Sequence, residues 1–349
     1  ILAEAGMDPT FVIGGLVNAI DSHGRLGRGD YLVAEADESD ASFLLLNPLI
    51  AVLTNIDADH METYEGDFEK LRLSFIEFFK RLPFYGVAVV CIDDPEVRAI
   101  LAKLRTRVVT YGTREEADVR GFDFHQVGGK STFSVAQPNS SEILSVTLNM
   151  PGEHNMLNAL AAIAIALELR VSNEAIAKSL SSFQGIARRC QLMGDTNIGA
   201  ARVSVIDDYG HHPSEIRVTL KSVRDGWPGK RLVVAFQPHR YTRTRDLFED
   251  FVDVLSTCDA LAVLEVYPAG EEPIQGADGR ALCRAIRLRG KTDPIFIAAP
   301  EQLVPVLDGI VKTGDILLLL GAGSIGRTTE FMNFEQISVA NDGSQNCVR

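Results

Sequence analysis

The residue types able to do chemistry fall in a few short polar runs. Glu35-Ala-Asp-Glu-Ser-Asp40 and Thr54-Asn-Ile-Asp-Ala-Asp-His60 combine several carboxylates with one imidazole. Hard oxygen donors with a single imidazole suit a magnesium ion that also holds phosphate oxygens. Pro151-Gly-Glu-His-Asn-Met-Leu-Asn158 places His154 and Asn155 where a helix should begin, so Asn155 also reads as a helix cap. Asp207-Asp-Tyr-Gly-His-His-Pro213 joins acids, a phenol and two imidazoles, and Phe236-Gln-Pro-His-Arg-Tyr-Thr-Arg-Thr-Arg245 brings three arginines. Guanidinium forks suit a carboxylate or a phosphate. Five of the seven histidines, His60, His154, His211, His212 and His239, lie in these runs, a concentration that structural scatter would not produce.

Two glycine-rich runs suggest other chemistry and fail on spacing. Gly321-Ala-Gly-Ser-Ile-Gly326 fits GxGxxG after an apolar run, but too few residues follow it to complete a dinucleotide-binding βαβ unit. It reads as a tight turn after the last strand. Gly128-Gly-Lys-Ser131 lacks the first glycine of a Walker A loop, because Phe124 stands at that position, and its flanks alternate as a hairpin does. No complete P-loop occurs in these residues.

The elements that must position the polar runs follow from periodicity. Apolar runs at residues 31–34, 50–54, 86–92 and 107–111 predict buried strands, and residues 67–80 and 94–104 carry helical spacing. Strands alternating with helices imply a parallel sheet, and in such sheets ligands bind beyond the carboxyl ends of the strands, where the polar runs lie. Residues 122–127, 132–135 and 143–148 predict a small antiparallel extension, followed by helices at 153–169 and 173–181. A boundary falls near 183–191. The alternation then restarts with strands at 203–207, 231–236, 260–264, 294–297 and 315–320. The fold class is α/β throughout, and the tail after about residue 327 carries little strand or helix signal.

Composition narrows the function further. A chain of 349 residues suggests two domains, and a formal net charge of -13 argues against nucleic-acid or membrane-surface partners, which call for a basic face. Cys91, Cys190, Cys258, Cys283 and Cys347 are odd in number and widely spread, so neither a disulfide framework nor a zinc site is indicated. No apolar run approaches the roughly 20 residues of a membrane span, and residues 1–6 lack a basic signal-peptide head. A cytoplasmic protein is expected.

The runs EADESDASF, TNIDADHMETYEGDF, PGEHNMLNA, DDYGHHPSEI, FQPHRYTRTRD and YPAGEEPIQGAD, in this order, resemble the Mur ligases of peptidoglycan synthesis over residues 8–326. Within that family FQPHRYTRTRD is similar to the alanine-adding enzyme and not to the one that recycles murein tripeptide. The resemblance implies a central ATP-binding domain over residues 1–187 without its P-loop, a Rossmann-like amino-acid-binding domain over 188–330, and a poorly matching tail at 331–349. The family's N-terminal UDP-binding domain and GTHGKT-type loop have no counterpart here. An N-terminally truncated chain, not competent by itself, is therefore expected.

The implied activity is ATP-dependent ligation of L-alanine to UDP-N-acetylmuramate through an acyl phosphate, by a monomer or homodimer using ATP and Mg2+. The resemblance assigns Glu35 and His60 to magnesium, Asn155 and Asn158 to adenine, Arg189 to phosphate and Asp208 to ribose. Tyr209, His211, Arg240 and Arg243 correspond to the alanine-binding set, and His60, Arg189 and His211 to the catalytic set. A non-catalytic nucleotide-binding protein and a dinucleotide-dependent oxidoreductase are the alternative functions.

Overall fold

The computed structural model describes residues 1–18 and 22–335; residues 336–349, which hold Cys347 and most of the expected tail, lie outside the described residues. The chain divides into two compact units, Ile1–Ala187 and a second beginning at Arg188.

In the first unit the elements run β1 (Thr10–Val17), β2 (Ser22–Arg25), β3 (Leu32–Ala34), β4 (Ile50–Leu53), α1 (Phe68–Phe79), β5 (Val87–Cys91) and α2 (Pro95–Leu101). They continue with β6 (Arg107–Gly112), β7 (Val119–Val127), β8 (Lys130–Ala136), β9 (Ile143–Leu148), α3 (Glu153–Glu168) and α4 (Asn173–Ser182). The main sheet has the order β4-β5-β6-β7-β8-β9, parallel from β4 to β7 and antiparallel from β7 to β9. The expected antiparallel strands thus extend the parallel sheet itself. β5 is a β-branched run buried on both faces: Val87, Val89 and Cys91 join a core with α3 and α4, while Ala88 and Val90 join the core under α1 and α2. The helices begin where short polar side chains can cap them. Asp67 accepts from Glu69 N at α1, Asp94 from Val97 N at α2, and Ser172 from Ala175 N at α4.

β3 departs from expectation. It lies not in the main sheet but in a separate three-stranded one of order β2-β1-β3, parallel to β1. β1 went unanticipated because Gly14 and Gly15 interrupt its strand signal. The Gly128-Gly129 pair closes the β7–β8 hairpin, with Val127 opposite Lys130 and Gly128 at φ 57°, a left-handed value that a glycine adopts without strain.

In the second unit the elements are β10 (Gln191–Ile198), β11 (Ala201–Asp208), α5 (Pro213–Gly226), β12 (Leu232–Phe236), α6 (Tyr241–Asp246) and α7 (Phe248–Leu255). β13 (Ala260–Leu264), α8 (Gly279–Leu288), β14 (Ile295–Ile297), α9 (Leu303–Asp308) and β15 (Ile316–Leu320) complete them. The sheet order is β10-β11-β15-β12-β13-β14, parallel except for β10. β15, inserted between β11 and β12, is an isoleucine followed by leucines only, with every residue buried; Ile316, Leu318 and Leu320 face one core and Leu317 and Leu319 the other. Each such burial contributes about 1.5–3 kcal/mol. The sequence did not indicate β10, whose alternation is broken by a bulge between Leu192 and Gly194.

The tail expectation is also corrected. A 3-10 segment runs from Ser324 to Phe331, Ile325 is fully buried, and Glu335 bridges to Asp195 of β10. Burial of Ile325 and Thr328 holds this stretch in spite of its polar composition.

Candidate active site

In the second unit four loops leave the carboxyl ends of adjacent strands, from β11, β15, β12 and β13. The first opens with Asp207 and Asp208, both buried. Asp208 Oδ2 accepts from Cys190 N at 2.7 Å, and its Oδ1 accepts from Gly210 N at 2.8 Å and Thr219 Oγ1 at 3.2 Å. The carboxylate that the resemblance assigns to a ribose is held here by backbone and helix donors, and burial pushes its pKa up in spite of them. Asp207 is raised by burial too, against the opposing Arg188, and its Oδ1 has no partner.

Arg188 ties these loops together. It donates through Nε to Asp207 at 3.2 Å and through Nη2 to the Gly321 carbonyl, and its guanidinium lies 5.0 Å over the Tyr209 ring. Arg188 and Cys190 are left-handed at φ 59° and 46°, so the backbone is bent sharply on both sides of Arg189. The Arg189 guanidinium lies 5.7 Å from the Tyr209 ring centre and 3.6 Å from Glu215. Glu215 also accepts from the backbone N–H of His211 and His212 and closes a capping box at the start of α5 with His212. Burial raises the Glu215 pKa, but His211, those two donors and Arg189 outweigh it, and the net shift is downward.

A chain of rings crosses the strand ends. Tyr209 meets His211 edge-on at 5.5 Å, His211 meets His239 at 5.7 Å, and His239 stacks on Tyr267 at 5.5 Å and 11°. Arg240 and Arg243 act electrostatically on His239 from the loop and helix that follow β12. Burial first, then His211, Arg243 and Arg240, push the His239 pKa down to about 4, with Glu271 opposing. Glu271 accepts from Thr242 N at 3.0 Å and Thr242 Oγ1 at 2.7 Å. The glycine run 321–326 is a turn packed against this group. A Cβ on Gly321 would come within 2.5 Å of the Gln237 carbonyl oxygen, and one on Gly326 within 2.6 Å of the Arg188 guanidinium.

In the first unit the segment just after the second acidic run meets the first run. Tyr64, just past His60, donates its hydroxyl to the Glu38 carbonyl at 2.7 Å. Glu35, at the end of β3, accepts on Oε2 from Gly14 N, and Asp37 and Asp40 close local turns with Ser39 and Ser42. His60 is left-handed at φ 53° and lies 3.6 Å from Asp59. Among the described residues no three His, Cys, Asp or Glu side chains are grouped to hold a metal by themselves. Glu35 and His60 are single donors, a chemistry that suits magnesium, which takes its remaining ligands from phosphate and water. Asn155 is buried and caps nothing: Gly152 is the N-cap of α3, and Asn155 Nδ2 donates to the Pro151 carbonyl at 2.7 Å. Its Oδ1 accepts from the exposed Asn158 at 3.4 Å.

Against known families, residues 20–166 match the Mur ligase middle domain and residues 188–323 match the Mur ligase, glutamate ligase domain. The chain belongs to the Mur ligase family. Members of this family are ATP-dependent ligases of peptidoglycan precursor synthesis. Among solved structures, the chain is similar to the UDP-N-acetylmuramate-alanine ligase MurC of Thermotoga maritima at 25% identity and a TM-score of 0.76, covering 95% of this chain and 69% of that one. It is similar in fold to the MurF ligase of Thermotoga maritima in complex with ADP, at 20% identity and TM-score 0.71 over 94% and 74% of the two chains. The murein peptide ligase mpl of Psychrobacter arcticus 273-4 matches at 23% identity and TM-score 0.64 over 95% and 72%.

In this Mur ligase chain, sequence reasoning singled out Tyr209, His211, Arg240 and Arg243, and it gave no role to Arg188, His239, Tyr267 or Glu271. His239 lay in a run already noted for its histidines, and Tyr267 and Glu271 lie in YPAGEEPIQGAD. Position at the strand ends was the available signal. Among the described residues no helix is long and apolar enough to cross a membrane.

Proposed function

We propose that this Mur ligase chain serves the joining of L-alanine to the lactyl carboxylate of UDP-N-acetylmuramate, driven by ATP, in the cytoplasm. The observation that carries the reading is the ring chain Tyr209, His211, His239 and Tyr267 at the strand ends of the second unit, with Arg240 and Arg243 acting on it. Two guanidinium groups answer the carboxylate of an amino acid by charge-assisted hydrogen bonds. The similarity to the UDP-N-acetylmuramate-alanine ligase of Thermotoga maritima supports this choice.

The γ-phosphoryl group passes to the sugar carboxylate, and the alanine amine attacks the resulting acyl phosphate, forming the amide and releasing phosphate and a proton. Glu35 and His60 would hold magnesium, which neutralises charge on the transferring phosphoryl group. Asn155 and Asn158 offer amide groups to the adenine edge. Arg189 offers its guanidinium to phosphate, and Asp208 serves the nucleotide by fixing the Cys190 and Gly210 backbone on either side. His211, held by Glu215, orients the amino acid. The acidic net charge leaves nucleic acid out of the partner set, and a monomer or homodimer suffices.

The test is a substrate panel. Residues 1–349 placed behind a Mur ligase N-terminal region bearing a phosphate loop are given ATP and UDP-N-acetylmuramate with L-alanine, D-alanyl-D-alanine or a murein tripeptide. Phosphate release should require L-alanine; preference for either peptide would overturn the substrate assignment. In the same chain Arg243→Ala should raise the KM for alanine by roughly one to two decades, as expected for a lost charged hydrogen bond, and move that for ATP much less. A larger change in the ATP constant would make the arginines phosphate ligands.

A further inference from the structure

The amino-acid site proposed above, on which this inference rests, gives the substrate carboxylate to Arg240 and Arg243 and names no acceptor for the amino group. His239 lies at the centre of that set. Its ring touches His211 at 5.7 Å and stacks on Tyr267 at 5.5 Å. Its backbone is fixed because Arg240 N donates to the Tyr267 carbonyl at 2.9 Å and Tyr267 N donates to the Pro238 carbonyl at 2.8 Å. His239 Nδ1 is buried and has no hydrogen-bond partner among the described residues. A buried polar atom left unpaired costs its full desolvation, so such an atom among these rings calls for a partner that arrives with the ligand. We propose that His239 Nδ1 accepts a hydrogen bond from the α-amino group of the amino-acid substrate and fixes that nitrogen beside the carboxylate held by Arg240 and Arg243.

The environment of the ring suits the role. Burial, His211, Arg243 and Arg240 keep the imidazole neutral at physiological pH against the opposing Glu271, so one ring nitrogen is an acceptor. The carboxylate of Glu271 is taken by Thr242 N and Thr242 Oγ1. A carboxylate partner would favour an ammonium, which has no lone pair. A neutral imidazole beside two guanidinium groups gives the extra proton no such stabilisation, and the cations lower the pKa of an amine among them. The amine is thus presented as a nucleophile. Its lone pair forms the C–N bond as the C–O bond to phosphate breaks, phosphate leaves with that electron pair, and the surplus amine proton passes to solvent. His239 itself is not protonated.

The test compares L-alanine with propionate, which has the carboxylate and no amine. In residues 1–349 with 15N-labelled histidine, L-alanine should move the ring-nitrogen resonances of His239 and propionate should not. By saturation-transfer NMR the unaltered chain should bind L-alanine about tenfold tighter than propionate, the size expected of one hydrogen bond into a buried acceptor. His239→Phe, which keeps a ring on Tyr267, should bring that ratio near one and leave propionate binding unchanged. His239→Gln, which keeps an acceptor, should recover part of it. An unaltered ratio in His239→Phe, or propionate binding that falls in step with alanine, would overturn the assignment and leave the amino-acid site standing. Absence of binding by either carboxylate would overturn the site and His239 together. Should the variants not fold, an unmoved His239 resonance in the unaltered chain overturns the assignment.

Discussion

Arg240 carries backbone strain that its role explains. At φ 69° and ψ 135° it adopts a conformation that side-chain-bearing residues avoid, at a cost of about 1–3 kcal/mol. A glycine there would relieve the strain and give back about 0.4–1 kcal/mol in unfolded-chain entropy, so relief wins. Arg240→Gly should raise stability by about 1 kcal/mol in urea unfolding while weakening alanine binding by roughly one to two decades; Arg240→Ala should weaken the binding alike with no gain in stability. A less stable Arg240→Gly would show that the guanidinium holds the loop. His239 sets a second expectation at this scale. Its pKa is lowered from 6.5 to about 4 in the fold, so the unfolded chain binds the proton more readily between those values. The stability this ring contributes is therefore complete above the higher value and lost as pH falls toward the lower. His239→Phe should lose less stability than the unaltered chain between about pH 7 and about pH 5. The groups acting on the ring, His211, Arg240, Arg243 and Glu271, are common to both proteins, and so are the raised acids Asp207 and Asp208. Equal pH profiles would mean that the imidazole is not kept neutral by its surroundings.

Among elements, the turn after β15 shows how a motif and its meaning separate. GxGxxG is satisfied in letters, yet each glycine is required by a close approach within the unit. Gly321 has φ 140° and no room for a Cβ, and Gly323 would place one 2.5 Å from Gln237 Oε1. The Gln237 oxygen in turn accepts from Ile325 N at 2.8 Å, fastening the 3-10 segment to the strand ends. Gly321→Ala should destabilise the second unit by about 2–4 kcal/mol, since both the backbone angle and a backbone oxygen oppose it. A melting temperature within a degree or so of the unaltered chain would refute this packing role. Strong apolar runs such as those of β5, β13 and β15 were legible because each is a short continuous apolar stretch bounded by polar or turn residues. β10 and β1 were not, because a bulge in one and adjacent glycines in the other break the alternation.

For the whole chain, the distribution of phosphate-binding groups decides competence. Among the described residues the GGKS run closes a hairpin, so it does not form the cradle of backbone N–H groups with a lysine that β- and γ-phosphates take. Electrostatic groups of this kind commonly carry factors of about 10² to 10³ each. Residues 1–349 alone should therefore release no measurable phosphate from ATP with UDP-N-acetylmuramate and L-alanine, whereas the same residues behind a phosphate loop and sugar-binding region should. Turnover by residues 1–349 alone would reveal a phosphate site outside the loops described above.

The sequence by itself determined the α/β class, most strands and helices, and the runs in which the polar groups stand, because periodicity, caps and turn residues act over a few positions. It carried Tyr209, His211, Arg240 and Arg243 as candidates through the resemblance of their runs to the Mur ligases. Only the tertiary structure decided which groups meet. Arg188 reaches the Gly321 carbonyl across 133 positions of chain, Gln237 binds Ile325 across 88, and Asp208 is consumed by Cys190, Gly210 and Thr219. Those encounters depend on strand order, above all on β15 lying between β11 and β12, and strand order is set by packing between segments remote in sequence, to which local spacing is blind.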